Sequence, residues 1–370
     1  MLQGGRCRRE NAANRPAAVV IAAKIARSLS LPFTRALVAA SRYLRTLLPR
    51  RKSLRLVMLW SHPPGGREGT ERIVSYFEDF APRVVEVGGA PTEARAFFRE
   101  EAVRLATRSA AAAGGARFAP SADVDAAEGE ADLPLIAGVV AHLCATTVDG
   151  GILIFLPTAE LVATLALELA TAAPYSDASR FCIVQVHAAA SSDELQEAYR
   201  PAILGVRKIV VATSLGEHQV PVDGVAYVID SGRTQVELAG SDSCGGGLCA
   251  AVSFCTAQEK SRRKARAARG YFSCVSAARA ASLARARQPE MARAALEGAI
   301  LPVLALELGD ARQFLSLAPD PPPEDAIFDA IARLHQLGAL GQNDELTPLG
   351  RCLLGRCWAT AHCLTLTPAE

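Results

Sequence analysis

The chain has 370 residues, half of them apolar and 5% aromatic, with 40 Lys and Arg against 38 Asp and Glu. That length and apolar content support one large core or two to three modest ones and exclude a disordered chain. A net charge of +2 leaves global charge silent about nucleic acid, and ten cysteines in so long a chain exclude a disulfide scaffold. The triplets Cys244, Cys249, Cys255 and Cys352, Cys357, Cys363 (the latter beside His362) lack the close paired spacing of a zinc ribbon or finger. They read as scattered reduced thiols, which places the chain in a reducing, intracellular compartment.

In chain order, residues 1–87 read as a first α/β segment. Its pieces are strand "AAVVIAA", helix "FTRALVAASRYLRTLL", strand "SLRLVML", helix "TERIVSYFEDF" and strand "RVVEV". There is no acidic residue between Asn11 and Arg67, a composition shared with organellar presequences. Residues 88–132 are heavy in Ala, Gly and acid and read as a partly disordered linker.

A second α/β unit is expected over 133–282. Helix "LPLIAGVVAHLCA" leads to strand "GGILIFLP", helix "TAELVATLALELA", strand "FCIVQVH" and helix "SDELQEAYRP". Two β-branched runs follow in "KIVVATSLGEHQVPVDGVAYVIDSG", with a polar loop between them. Continuous apolar strands alternating with helices mark a doubly wound parallel sheet. No run of 18 uncharged apolar residues occurs, because "GGILIFLPTAELVATLALELATAAP" carries Pro157, Glu160 and Glu168. No membrane partner is expected.

Residues 283–360 turn helical. "PPPEDAIFDAIARLHQLGAL" has a proline start and apolar positions at Ile327, Ile331, Leu334 and Leu337, and it stops near Gly338. "GQNDELTPLGRCLLG" then reads as a small hairpin and helix, and 361–370 as a tail.

These pieces, in this order, resemble the DEAH-box/RNA helicase A family of NTP-dependent, superfamily 2 (DExH) RNA helicases. "LPRRKSLRLVML", "GGILIFLP", "GVRKIVVAT", "VDGVAYVIDSG" and "DPPPEDA…LGAL…ELTPLGR" are close to family sequence. The resemblance implies an incomplete first RecA-like domain, a second RecA-like domain and a winged helix. Relatives use ATP and magnesium, held by a Gly-Lys-Ser/Thr loop. This chain has no such tripeptide and is expected to begin downstream of it.

Family members read roughly "VIVDEAHERSL", and this chain reads "VVIAAKIARSL" from Val19 to Leu29. The metal-holding carboxylates fall on Ala22 and Ala23, followed by Lys24, and the histidine falls on Ile25. Alanine neither ligates a metal nor takes a proton. Trp60, Ser61 and His62 stand in place of Ser-Ala-Thr. The family's "TNIAETS" aligns with "TSLGEHQ", keeping Thr213 and Glu217 but placing Ser214 for the asparagine and His218 for the threonine. The arginine-finger motif "QRRGRAGR" aligns with "EKSRRKAR", giving finger counterparts Arg263 and Arg266, while Glu259, Arg262 and Ala265 depart from the pattern.

By this resemblance no cofactor is expected to be retained. The implied partner is RNA, bound weakly and without sequence preference, together with ribonucleoprotein proteins. The implied contacts are His187, Thr213, Glu217, Lys260, Arg262, Arg263, Lys264 and Arg266. The blander reading of the basic block is a solvated helix face, and of His187 a hydrogen-bonded loop histidine. Three functions stay open: a non-catalytic RNA- or ribonucleoprotein-binding pseudoenzyme, a piece of a working helicase, and a protein-interaction scaffold without RNA affinity. Cytoplasmic, nuclear and mitochondrial placement stay open as well.

Overall fold

The computed structural model describes residues 20–25, 55–60, 67–78, 82–85, 94–112, 131–217, 224–239 and 248–357. The expected helix over 33–48, the loop residue His218, and the tail therefore lie outside the described residues. β1 (Val20–Ile25) and β2 (Arg55–Trp60) pair in parallel, with Ala22 opposite Val57 and Ala23 opposite Met58. α1 (Arg67–Tyr76) follows. Residues 83–85, the start of the expected strand "RVVEV", have no regular structure.

The largest element is a six-stranded sheet in the order β3-β10-β7-β4-β6-β5, with every pairing parallel. Its strands are β3 (Arg95–Phe97), β4 (Gly151–Phe155), β5 (Phe181–Val186), β6 (Arg207–Ala212), β7 (Val225–Asp230) and β10 (Gly270–Ser273). β4, β6 and β7 form because their uninterrupted β-branched runs bury both faces, and the period of two then splits the side chains. Ile152, Ile154, Ile209, Val211 and Ile229 fall in one core with α2 (Arg99–Ala112), α3 (Leu133–Thr146) and α4 (Ala159–Thr171). Leu153, Phe155, Val210, Ala212 and Val228 fall in the other, with Ala198 of α5 (Ser192–Tyr199) and Ala267. The unit is three-layered.

The linker expected over 88–132 is corrected here. Its residues 94–112 carry edge strand β3, which pairs with β10, and helix α2, which packs on α3. Phe97 stacks on Phe272 with centroids 4.6 Å apart, and Ala102 is fully buried. An Ala-rich helix that gives its small face to a neighbour has the composition of a linker and the role of a core element. The second unit accordingly starts near 94 rather than 133.

Two adjacent basic residues tie the helices to the sheet. Arg207 donates to the carbonyls of Leu143 and Thr147 at the end of α3, and to Asp149 and Gly150. Lys208 donates through Nζ to the carbonyls of Glu197, Ala198 and Arg200 at the end of α5. Cations there satisfy the orphan carbonyls of a helix C-terminus and complement its dipole.

A hairpin that the sequence reading did not foresee, β8 (Arg233–Ala239) with β9 (Leu248–Phe254), leaves the sheet after β7. α6 (Ala257–Lys264) and β10 return to it. After α7 (Ala277–Ala281), a separate core gathers α8 (Glu297–Ala305), α9 (Ala311–Ser316), α10 (Glu324–Gln336) and α11 (Pro348–Cys357). The expected small hairpin is present as an antiparallel bridge between Leu340 and Leu346. Among the described residues no helix is long and apolar enough to cross a membrane.

Candidate functional site

In open α/β sheets ligands meet the carboxyl ends of the strands, where the strand order reverses. Here that point lies at β4, flanked by β6 and β7. Beyond the end of β6 the chain makes a short 3-10 turn, Ser214–Glu217, which carries Glu217 under the sheet edge. Gly216 is needed for this turn, since a Cβ there would sit 2.8 Å from that of Ala212. At the end of β7, Asp230 is followed by Gly232, whose φ of +72° and closeness to Val275 exclude a side chain.

α6 delivers the third component. Its start is fixed by a capping box: Thr256 accepts from the amide of Glu259, and the Glu259 carboxylate accepts from the amide of Thr256. Burial works against the Glu259 charge, but Arg287, at 3.2 Å, and the Thr256 amide outweigh it and keep its pKa below the ordinary range. The residue that departs from the family's glutamine is thus the clamp on the helix start.

This start aims Arg263 inward, where it is fully buried. Its Nε donates to Glu217 Oε1 at 2.8 Å, and its Nη1 donates to Asp230 Oδ1 at 2.6 Å and to the Arg233 carbonyl at 3.0 Å. Arg262 Nε lies 3.5 Å from Glu217 Oε2. The Tyr271 hydroxyl donates to Asp230 Oδ2 at 2.5 Å. Burial disfavours the Arg263 charge, yet the Asp230 and Glu217 carboxylates hold its pKa well above the usual value. Burial next to Asp230 likewise raises Tyr271 far above the normal phenol.

The block expected to be exposed to RNA is therefore divided. Arg262, Arg263 and Glu217 are buried in one ion-pair network and face one another rather than solvent. Two guanidiniums already paired with carboxylates, away from water, offer no face to phosphate. Lys260 and Lys264 occupy another face of the helix. Lys264 is exposed and Arg266 half-buried. Lys260 donates to Ser273 Oγ at 2.9 Å and lies 5.0 Å from the centroid of Phe98.

Across the same sheet edge, His187 directly follows β5 and Thr213 directly follows β6, and the Thr213 amide donates to the Val186 carbonyl at 2.9 Å. The His187 Nδ1 is buried without a hydrogen-bond partner among the described residues. From β5 to β10 the edge crosses four strand intervals, roughly 19 Å at ~4.8 Å each. His187 and Thr213 thus stand at one flank and Lys260 at the other. Ala22, Ala23, Lys24 and Ile25 lie on β1, in the separate two-stranded pair.

Sequence reasoning missed Asp230, Tyr271 and the Glu259–Arg287 clamp. The capping box was legible as Thr256-x-x-Glu259. No group of three or more ligating side chains occurs among the described residues, and Cys244 and Cys363 of the two triplets lie outside them. Cys255 is instead part of the network's surroundings, its thiol pushed up to about 12 by burial and then by Asp230. Because the thiolate is the nucleophile, Cys255 should resist alkylation at pH 8 in the folded protein and react only in denaturant. Mass spectrometry of the labelled peptide checks this, and fast native labelling of Cys255 would contradict it.

Residues 330–354 match the helicase associated domain (HA2), winged-helix family. The chain is 33% identical over 225 residues to the DExH-box ATP-dependent RNA helicase DExH4, chloroplastic, of Arabidopsis thaliana, which covers 60% of this chain and 16% of that protein. It is 33% identical over 221 residues to the ATP-dependent DNA/RNA helicase DHX36 of Rattus norvegicus, covering 59% of this chain and 22% of that protein. The chain therefore spans about a fifth or less of these relatives' length. The fold is similar to that of the E. coli DExH-box NTPase HrpB, with a TM-score of 0.61 at 18% identity over 87% of this chain and 35% of that one. Over about 60% of its length the chain is thus similar in sequence to DExH-box RNA helicases, and its parallel sheet and helical segment share the fold of one.

Proposed function

We propose that this chain is a helicase-derived RNA- or ribonucleoprotein-binding module that does not hydrolyse nucleotide. The observation that carries the reading is β1, "VIAAKI", which has no acidic residue at the alignment positions of the family's metal-holding carboxylates. Phosphoryl transfer depends on positioned charge around the phosphates. The second unit supports the same reading, because its best-placed guanidinium, Arg263, is committed to Glu217 and Asp230.

In this chain alone, phosphate release with excess ATP, magnesium and single-stranded RNA should stay at background. RNA-stimulated turnover that follows the chain through purification and disappears in an Arg263→Ala/Arg266→Ala variant would refute the proposal. The rival reading, that this sequence is part of a longer working helicase, draws on the small share of its relatives that the chain spans. It predicts turnover once the remaining sequence is supplied, and Ala22 and Ala23 speak against it.

RNA contact on this reading falls to Lys260, Lys264 and Arg266, with Thr213 and His187 across the edge. Three phosphate contacts give a log affinity against log salt slope of about −2 for a single strand. Fluorescence anisotropy should show that slope, and a Lys260→Ala/Lys264→Ala/Arg266→Ala variant should flatten it. Unchanged binding by the triple variant would put the RNA contact elsewhere on the chain, and absence of binding by the wild type would favour a scaffold without RNA affinity.

A further inference from the structure

α1 lies in the N-terminal part of the chain, yet its described ion pair reaches the other end. Arg72 Nη1 is 2.5 Å from Asp320 Oδ1, a contact spanning 248 residues of sequence. Asp320 sits between α9 and α10, at the head of "DPPPED". Three successive prolines lock their own φ and press the residue before them toward extended backbone, so this carboxylate is presented on a stiff stem. Its side chain is only 14% exposed, whereas that of Arg72 is 51% exposed. Immediately after α1, Phe77 is 3% exposed and meets the Tyr76 ring edge-on at 4.9 Å. The helix thus ends on a buried aromatic ring and carries, one turn earlier, a cation matched to a rigid acceptor on the helical unit.

We propose that α1 is a latch that seats the N-terminal α/β segment on the C-terminal helical unit, with Asp320 as its catch. The chemistry makes it reversible. A pair with one partner half in water is weak and screened by salt, so the latch opens at high ionic strength or when another anion takes Arg72. The ion pair supplies register and release, and the buried Phe77 ring anchors the end of the helix. This goes beyond the binding role above and does not depend on RNA affinity.

Hydrogen exchange by mass spectrometry on the full chain tests it, comparing wild type, Arg72→Glu, Asp320→Lys and the double variant carrying both. Each single variant should speed exchange of the amides over 67–78 by roughly two- to fivefold, the range an exposed ion pair spans. β4 and β7 should be unaffected. The double variant should restore the slow rate, and 1 M salt should make wild type resemble the single variants. Phe77→Ala should open the same segment further. Equal rates in all four proteins, failure of the double variant to restore protection, or acceleration that spreads to β4 and β7 would each overturn the latch. So would a segment that opens with Phe77→Ala but ignores both charge reversals.

Discussion

Replacing Arg263 with Ala is expected to cost about 3–5 kcal/mol of folding stability, the usual result of stripping one partner from a buried ion pair. The reason is the pair of carboxylates left behind. Glu217 is 5% exposed and Asp230 not at all; Asp230 would lose the guanidinium that makes its burial tolerable, and Glu217 would keep the more distant Arg262, at 3.5 Å. Arg263→Lys should rescue little, because one ammonium cannot span both carboxylates and the Arg233 carbonyl as the planar fork does. Tyr271→Phe should cost less, about 1–3 kcal/mol, since it leaves one buried carboxylate oxygen unsatisfied. Replacing Arg263, Glu217 and Asp230 together by apolar residues should recover much of the loss, because no charge is then stranded. Urea unfolding followed by circular dichroism measures all four. A loss below about 1 kcal/mol for Arg263→Ala would mean that water reaches these carboxylates readily.

The second large effect concerns where the second unit begins. A chain of residues 94–357 should unfold as one cooperative unit, whereas residues 132–357 should not. The shorter piece lacks β3 and α2. It exposes the β10 edge, leaves Phe272 without its stacking partner Phe97, and uncovers the face of α3 that Ala102 and Ala106 bury. An exposed edge strand also invites pairing between molecules, so the shorter piece should aggregate as well. Thermal unfolding and light scattering on the two pieces separate these outcomes. Identical midpoints would mean that β3 and α2 are ornaments on a sheet complete without them.

The part of the fold that sequence revealed was the part whose local pattern and tertiary role agree. "GILIF", "IVVA" and "VAYVI" are uncharged and mostly apolar, and a strand buried on both faces wants just that. α10 declared itself through its proline entry and its apolar stripe. The segment from Arg95 to Ala112 was hidden because alanine looks the same in a linker and on a packed helix face. Arg262 and Arg263 were hidden for a different reason. A run of cations reads as solvated, and only acceptors 46 and 33 residues away in sequence decide that Arg263 goes inside. The strands of the β8–β9 hairpin flank "SDSCGGG", a turn-rich stretch that was a usable signal for a hairpin.

Arg207 and Lys208 have a further consequence, for the path by which the chain reaches its sheet. Their side chains leave β6 on opposite faces, so one cation serves α3 and the other α5. The residues after them, Ile209 to Ala212, are apolar on both faces and would tolerate a slide along β4 or β5 almost without penalty. A slip by one residue exchanges the faces. It would carry the guanidinium toward the α5 carbonyls and the ammonium toward those of α3, at depths their unequal lengths do not fit. The two charges thus act as a proofreading step in strand alignment, rejecting misaligned sheets that the greasy remainder of the strand would accept.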